Sequence, residues 1–131
     1  MGPTSMAEPT ITKVHEDARG EIYAIGLPGD RELILLHSKA GTLRGGHSHD
    51  VPERVMVLTG KLQYHKLSAT GIEVIAVLQE GECSYNAAGE IHMGEFPRDS
   101  WLLEWKICPD KTSWKNMDYA PWRARVIANA S

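Results

Sequence analysis

Long apolar runs, a surplus of basic residues and a set of paired cysteines are all missing from this sequence of 131 residues. A membrane-spanning helix needs roughly 18 consecutive apolar residues, and no run approaches that length. The net charge of -3 leaves no basic stripe, so we expect neither nucleic acid nor a membrane as a partner.

Signals for export and lipid attachment are also missing. The first ten residues contain no positively charged segment followed by an apolar one, so no secretory signal is predicted. The two cysteines, Cys83 and Cys108, do not form a CxxC pair. Without a predicted signal they are most simply buried thiols, and we predict a cytoplasmic protein.

The sequence does have apolar and polar residues that alternate with a period of two. Runs of this kind recur about every ten residues, separated by turns rich in Gly, Pro, Asp and Ser. About nine strands with almost no helical periodicity predict an all-β closed architecture, for which a double-sheet jelly roll is the economical choice. One run, residues 33–36, is apolar at every position, which indicates burial on both faces of its strand.

The chain is long enough for one domain with its own core. Residues 1–18 are predicted to be a flexible arm or a cloning remnant, because Pro3 and Pro9 oppose regular structure. Residues 19–107 form the predicted barrel. Residues 108–131 lose the alternation, so we predict an irregular aromatic tail that packs on the barrel or on a partner subunit. Its aromatic residues, which would otherwise simply cover core, are Trp114, Tyr119 and Trp122.

Residues 41–60 carry the chemistry. His47 and His49 are two positions apart, so both imidazoles point to one face of an extended strand. Glu53 opens the next predicted strand after a short corner. Two imidazoles and a carboxylate suit first-row divalent metal ions, although a His-x-His pair alone is common on solvated strands.

The complete spacing of this stretch resembles the first motif of the cupin superfamily. It consists of Gly41, five residues, His47-x-His49, three residues, Glu53, six residues and Gly60. This resemblance implies a small single-domain metal-binding cupin, with the double-stranded β-helix or jelly-roll barrel of that family.

A second stretch resembles the second cupin motif. Its spacing is Gly81, five residues, Ala87-Ala88-Gly89, two residues, His92, three residues and Phe96. Ala87 stands where the family usually has proline, and Phe96 where it usually has asparagine. The resemblance implies that His92 is the fourth metal ligand, while the group that replaces the asparagine is left open.

The implied ligand set is three imidazoles and one carboxylate around one divalent transition metal ion. Fe, Mn, Ni, Zn, Co and Cu all accept such a set, so the sequence does not choose the metal. The resemblance implies an enzyme that chelates a small, anionic or oxygen-rich substrate to the metal and acts as a dioxygenase, isomerase or lyase. The alternative is a non-catalytic module in which the metal site is structural or senses a ligand.

Three residues are candidates for acid-base or substrate-orienting roles. Tyr64 is the first, because residues two and four beyond the closing glycine of the first motif tend to face the interior of the resembled fold; a core aromatic is the alternative. Arg44 could orient a carboxylate or be a solvated arginine. Glu104 faces the interior if the neighbouring tryptophans face outwards.

Two further histidines and two apolar residues complete the predictions. His37 and His65 are weaker candidates, since a lone strand histidine is more often structural or exposed. Met56 and Leu58 lie on the face of their strand opposite Glu53, where they would suit a subunit interface. We therefore predict a homodimer.

Overall fold

The computed structural model describes residues 8–29, 31–107, 116–118 and 120–129, and this part of the chain is almost wholly β. The strands are β1 (Thr10–Asp17), β2 (Gly20–Leu27), β3 (Arg31–Ser38), β4 (Thr42–His49), β5 (Glu53–Thr59), β6 (Leu62–Leu67), β7 (Glu73–Leu78), β8 (Cys83–Asn86), β9 (Ile91–Phe96), β10 (Ser100–Lys106) and β11 (Asn116–Asp118). One helix in this part of the chain, α1 (Ala120–Asn129), follows β11.

The strands form two antiparallel sheets. The six-stranded sheet has the order β1-β2-β3-β10-β5-β8, and the five-stranded sheet has the order β11-β4-β9-β6-β7. Strands distant in sequence are neighbours in both sheets, as β3 and β10 are, which is typical of a jelly roll rather than of a chain of hairpins. The predicted all-β jelly-roll fold is confirmed.

The core lies between the sheets and is built from alternate residues of each strand. On β5, Val55 and Val57 are buried while Leu58 is exposed, so this strand shows one face to the core and the other to the outside. Phe96, which occupies the position where the cupin motif has asparagine, is buried in the same core. The side chain at this position therefore contributes apolar packing to the core rather than polar contacts.

The predicted amino-terminal arm, residues 1–18, contains a strand of eight residues. Residues 10–17 are strand β1, which pairs with β2 at the edge of the six-stranded sheet. Pro9 precedes this strand and does not interrupt it. The strand escaped prediction because it is exposed on both faces for most of its length, and it therefore lacks a clear apolar and polar alternation.

The predicted irregular tail contains β11, which pairs with β4, and the helix α1. Trp122 and Val126, four residues apart on α1, pack on Ile91 and Met93 of β9, as expected for one face of a helix. Trp122 thus covers core. No helix among the described residues is long and apolar enough to cross a membrane. Cys108, Trp114 and Tyr119 lie outside the described residues.

The prediction that Cys83 is buried is wrong, because its thiol is exposed and free. Cys83 and Tyr85 of β8 face outwards while Ser84 and Asn86 face inwards. The alternation of this short strand, and not the apolar character of the thiol, decides its exposure.

Candidate metal centre

The strand that carries two of the predicted ligands has a bulge next to them. Gly45 and Gly46 have φ values of 105° and 90°, and the pairing of β4 with β9 shifts register between Gly45 and His47. A Cβ atom on Gly45 would lie 2.8 Å from the carbonyl oxygen of His92, so the close approach of the strands requires glycine. Beyond the bulge, His47 lies directly opposite His92.

Three imidazoles converge inside the barrel. One ring nitrogen from each of His47, His49 and His92 lies within 4.8 Å of the other two. His49 and His92 are buried, and His47 is half-buried. Two motif stretches therefore supply one cluster, with His92 lying 43 positions after His49 in the sequence.

The carboxylate of Glu53 comes from the opposite sheet. Its Oε1 atom lies 3.2 Å from His92 Nε2 and 3.6 Å from His49 Nε2. Burial alone would raise the pKa of Glu53, but hydrogen bonding and the charges of His92 and His49, with a hydrogen bond from Asn86, lower it overall. The structure thus places the carboxylate of Glu53 beside two of the three clustered imidazoles, those of His92 and His49.

The arrangement of donor atoms fits a metal ion. His92 Nδ1 lies 3.3 Å from the carbonyl oxygen of Glu90, which can only accept a hydrogen bond, so Nδ1 is the donor of this contact. This leaves Nε2 directed at Glu53 Oε1, 3.2 Å away. A proton on Nε2 or a metal ion between the two atoms would offset the charge of the buried carboxylate, and three imidazoles with one carboxylate are a donor set that divalent transition metals accept.

The distances need only a small adjustment for ligation. Ligands bound at about 2.0–2.2 Å lie no more than roughly 4.3 Å apart, against the upper limit of 4.8 Å between the imidazole nitrogens here. The backbone anchor of His92 at Glu90 is of the kind that orients metal-bound histidines.

Asn86 is a site residue that sequence reasoning missed. It is 1% exposed, and its Nδ2 atom donates to Glu53 Oε1 at 3.1 Å and to the hydroxyl oxygen of Tyr64 at 2.8 Å. Ser84 donates to its carbonyl oxygen at 3.4 Å, which agrees with this orientation of the amide. Asn86 ends β8 at a variable position of the second motif stretch, so no spacing rule could have found it.

Tyr64 lies beside the imidazoles with its hydroxyl inside the barrel. The side chain is 5% exposed, and its ring centroid is 5.5 Å from that of His92. Burial, followed by the negative charges of Glu53 and Glu104, raises its pKa well above the usual value. Because Asn86 donates to the phenol oxygen, the phenol keeps its own proton available for a further hydrogen bond.

Glu104 and Arg44 also belong to the barrel interior. Glu104 pairs with Val55, a core residue, while Trp101 and Trp105 lie on the opposite face of β10. Burial, then the charge of Glu53, raises the pKa of half-buried Glu104 to about 8, against a smaller lowering by Arg44. It is therefore mostly protonated at neutral pH.

Arg44 is buried, and its side chain on β4 of one sheet hydrogen-bonds to β3 of the other sheet. Its Nη2 donates to the carbonyl oxygen of His37 at 3.0 Å, and its Nε donates to Ser38 Oγ at 3.3 Å. Burial, and then the charge of Arg19, lowers its pKa. This position differs from that of a solvated loop arginine, which was the alternative considered from the sequence.

Lys66 is a second missed residue, at the rim of the cluster. It lies opposite His92 in the pairing of β6 with β9, and its Nζ is 5.5 Å from the ring centroid of Tyr64. Nζ donates to the carbonyl oxygen of Tyr85 at 2.9 Å and lies 3.7 Å from Glu90 Oε1. It adds positive charge at the rim.

The two weaker histidine candidates lie elsewhere. His65 faces the outside of the five-stranded sheet, with Nε2 3.1 Å from Glu95 Oε1. His37 lies on the outer face of the six-stranded sheet between Glu21 and Asp99, and its ring stacks on Trp101. Neither is part of the imidazole cluster.

Comparison with known proteins identifies the fold. No protein-family model and no curated protein matches the sequence. Among solved structures, the capsular polysaccharide assembling protein CapF from Staphylococcus aureus is similar over 90% of this chain and 34% of its own, with 18% identity and a TM-score of 0.70. This chain thus spans about a third of CapF.

Two other structures are similar. The Drosophila melanogaster CENP-C cupin domain covers 76% of this chain and 75% of its own, with 17% identity and a TM-score of 0.61. Lactobacillus farciminis oxalate decarboxylase covers 97% of this chain and 40% of its own, with 15% identity and a TM-score of 0.69. Likeness at this level of identity concerns the fold, and it agrees with the resemblance seen in the two motifs: the chain has the cupin fold.

Proposed function

We propose that this protein binds one divalent transition metal ion inside its barrel and acts as an enzyme on a small, oxygen-rich substrate chelated to that ion. The metal ligands are His47, His49, Glu53 and His92. The observation that supports this most strongly is the convergence of one ring nitrogen from each of three imidazoles within 4.8 Å, with Glu53 Oε1 lying 3.2 Å from His92 Nε2. Three imidazoles and one carboxylate are a donor set that divalent transition metals accept.

The chain's own residues would provide the surroundings of the reaction. The bound ion would supply Lewis acidity and a template for substrate oxygens. Tyr64 would donate its phenol proton to an anionic oxygen of the substrate, because Asn86 occupies the phenol oxygen as a donor. Its raised pKa keeps that proton in place at neutral pH, which favours a role as a hydrogen-bond donor or acid over a role as a base.

Glu104 and Arg44 would act deeper in the barrel. Glu104, with a pKa of about 8, is protonated at neutral pH and can therefore also donate a proton to the substrate or to a nearby water. Arg44 would contribute positive charge on the substrate side while its bonds to β3 hold it in place. Each of these roles is a proposal for mutagenesis.

The charge of the site favours an anionic substrate. Neutral imidazoles, ionised Glu53 and a divalent ion sum to a net charge near +1, and Lys66 adds positive charge at the rim. CapF has been solved with the inhibitor 3-isopropenyl-tropolone, whose parent tropolone has two adjacent oxygens, and oxalate decarboxylase is named for a two-carboxylate substrate. We extend to this chain only the shared chemistry, a small molecule that chelates through two oxygens.

A non-catalytic module is the second candidate. The similarity to the CENP-C cupin domain, which has been solved bound to CAL1, supports it, because three quarters of that chain matches. In this alternative the metal would stabilise the barrel or sense a ligand. The cytoplasmic location predicted from the sequence remains a prediction.

Metal analysis of purified protein tests the site. We expect about one transition-metal equivalent per wild-type chain and a large loss in His47→Ala and His92→Ala. His65→Ala is the matched control, since this histidine also lies on a strand but faces outwards. Equal metal content in all four proteins would refute the site.

Ligand binding separates the enzyme from the module. We expect tropolone, oxalate and small hydroxy acids or diketones to change the absorption spectrum of the metal-loaded protein. An oxygen-electrode screen on iron-loaded protein then distinguishes a dioxygenase from an isomerase or lyase. A metal spectrum insensitive to every chelating anion, together with metal-dependent thermal stability, would favour the module.

A further inference from the structure

Lys66 faces the interior of the barrel beside the candidate metal centre. On β6 it follows Leu62 and Tyr64 at intervals of two residues, so it shares the inner face of the strand with two residues of the buried core. Register places it directly opposite His92, and the Cα atoms of residues paired in this way lie roughly 5 Å apart. A lysine is therefore the neighbour of one proposed metal ligand.

The side chain of Lys66 runs from one sheet to the other. It begins on β6 of the five-stranded sheet, and its Nζ donates to the carbonyl oxygen of Tyr85 on β8, an edge strand of the six-stranded sheet, at 2.9 Å. Tyr85 is itself paired with Arg54 of β5, so this acceptor has a fixed position. Only 11% of the Lys66 side chain is exposed.

The contacts of the Lys66 ammonium leave room for an anion. An ammonium group has three N–H donors, and one of them donates to Tyr85. The carboxylate oxygen that pairs with it, Glu90 Oε1, lies 3.7 Å away, which is beyond ordinary hydrogen-bond distance. The same oxygen accepts a hydrogen bond from the backbone N–H of Ala87 at 3.2 Å. A lysine this deeply buried usually has a closer anionic partner.

Glu90 lies where it can be displaced from the ammonium. It belongs to the turn 87–90 between β8 and β9, and the other three residues of this turn are exposed. Turn residues are more mobile than strand residues, whereas the carbonyl oxygen of Tyr85 is held by strand pairing. An entering anion would therefore exchange one carboxylate for another at Lys66 and leave the bond to Tyr85 in place.

Electrostatics link Lys66 to the candidate metal centre. Burial lowers the pKa of Lys66, and the charges of Glu90 and then Glu53 oppose that lowering. Lys66 is thus close enough to Glu53 for the two charges to interact. A small substrate chelated to an ion at Glu53 would have a second group within reach of the ammonium.

We infer that Lys66 forms an anion subsite beside the metal centre and binds a second carboxylate of the substrate, one that does not touch the ion. This inference rests on the proposed function, and it narrows the substrate class to acids with two carboxylates. The charges agree, because a dianion balances the net charge near +1 of the loaded metal site together with the positive charge of Lys66. Lys66 acts here as a specificity residue.

Pairs of acids that differ only in the second carboxylate test the subsite. Malate and α-hydroxyglutarate have that carboxylate, while α-hydroxybutyrate and α-hydroxyvalerate have a methyl group in its place. The visible spectrum of Co²⁺-loaded protein gives the dissociation constants. Lys66→Met should weaken at least one diacid roughly tenfold or more and change its methyl counterpart by less than about twofold. A preference that comes from the ion alone would persist in this variant.

Two further variants separate recognition from folding. Lys61→Met is the matched control, because Lys61 precedes the same strand at its other end, and it should leave all four dissociation constants unchanged. Glu90→Gln keeps an oxygen for the N–H of Ala87 but removes the competing charge. It should tighten binding of the same diacid several-fold more than binding of its counterpart, a gain that a purely structural role of Lys66 would not produce.

Failure of this inference differs from failure of the proposed function. If Lys66→Met binds Co²⁺ and discriminates between the acids of each pair as the wild type does, the subsite is overturned while the metal site stands. Equal effects of Glu90→Gln on both acids of each pair would also overturn it, even where Lys66→Met does not fold. If the wild type binds no Co²⁺, or no acid changes its spectrum, the proposed function fails and the subsite fails with it.

Discussion

Two histidine clusters in this protein contain the same types of residue in opposite proportions. The inner cluster has three imidazoles around one carboxylate: His47, His49, His92 and Glu53. The outer cluster has one imidazole between two carboxylates: His37, Glu21 and Asp99. In the inner cluster His49, Glu53 and His92 are buried, whereas Asp99 of the outer cluster has a side chain that is 62% exposed.

The ratio of imidazoles to carboxylates decides which cation each cluster requires. Both ring nitrogens of His37 lie within 3.0 Å of a carboxylate oxygen, so the protonated ring supplies the cation for its own cluster. In the inner cluster three imidazole nitrogens lie within 4.8 Å of one another, with an oxygen of Glu53 beside two of the rings. We propose that a metal ion completes the inner cluster, while a proton completes the outer one.

Chelation should produce the largest difference between the clusters. A ligand held at a thousandfold above its dissociation constant stabilises a protein by about 4 kcal/mol, which corresponds to roughly 10 °C or more in Tm for a domain of this size. We expect a strong chelator to lower the Tm of the wild type and of His37→Gln by the same amount. His92→Ala should not respond. Differential scanning calorimetry gives the Tm of all three proteins with and without the chelator. A wild-type Tm that is insensitive to chelation would contradict the proposal that the inner cluster holds a metal ion.

Glu104 is a carboxyl group of the barrel interior whose pKa, unlike that of Glu53, is not shifted by any imidazole. Its pKa of about 8 exceeds the ordinary value of 4.5, so the native state holds a proton that the unfolded state releases. The stability that this proton contributes is present below pH 4.5 and is lost as the pH rises through about 8. In metal-free protein, the wild type should lose about 1.4 kcal/mol per pH unit in this window relative to Glu104→Gln.

Urea unfolding of metal-free protein at a series of pH values measures this slope. Glu80→Gln, in an exposed turn, is the control and should follow the wild type. Parallel stability curves for the wild type and Glu104→Gln would show that Glu104 is ionised in the folded protein.

Asn86 orients the carboxylate of the inner cluster, because its side-chain amide donates a hydrogen bond to Glu53. Asn86→Ala should weaken metal binding by roughly 10- to 100-fold, the usual cost of losing a group that orients a metal ligand. Gln63→Ala, on the outward face of the strand that carries Tyr64, should bind as the wild type does. Competition with a coloured chelator gives the affinities. Wild-type affinity in a well-folded Asn86→Ala would mean that Glu53 needs no such support.

The smallest expected effect belongs to the outer cluster. Burial alone would lower the pKa of His37, but hydrogen bonds from its ring to Glu21 and Asp99 outweigh burial and raise it. The stability contributed by protonated His37 is therefore present below pH 6.5 and lost as the pH rises through the raised pKa. The wild type should exceed His37→Gln by roughly 0.5–1 kcal/mol at low pH only. The same difference at every pH would exclude the ionic contribution.

The strands and the ligand positions could be predicted because both follow from spacing. A period of two fixes which side of a strand a residue faces, so the shared face of His47 and His49 followed directly, and Glu53 followed as the start of the next strand. The role of His92 and the inward position of Tyr64 required the resemblance to the cupin motifs, since the pairing of β9 with β4 has no local signal.

The residues that were missed depend on tertiary contacts. Asn86 matters only because β8 lies beside β5, which brings it to Glu53 and Tyr64. The helix α1 did have a signal, since Pro121 is near its start and Trp122 and Val126 are four residues apart. The aromatic residues of this segment and its loss of alternation instead favoured an irregular tail.

Cobalt titration of metal-free protein, followed by absorption spectroscopy, tests the central claim most directly. We predict that the wild type develops a saturating visible spectrum at one equivalent of Co²⁺ per chain, that Glu53→Gln binds more weakly, and that His92→Ala does not saturate. A wild type that binds no Co²⁺, or a His92→Ala variant with the same spectrum and endpoint, would contradict the proposal of a buried metal centre.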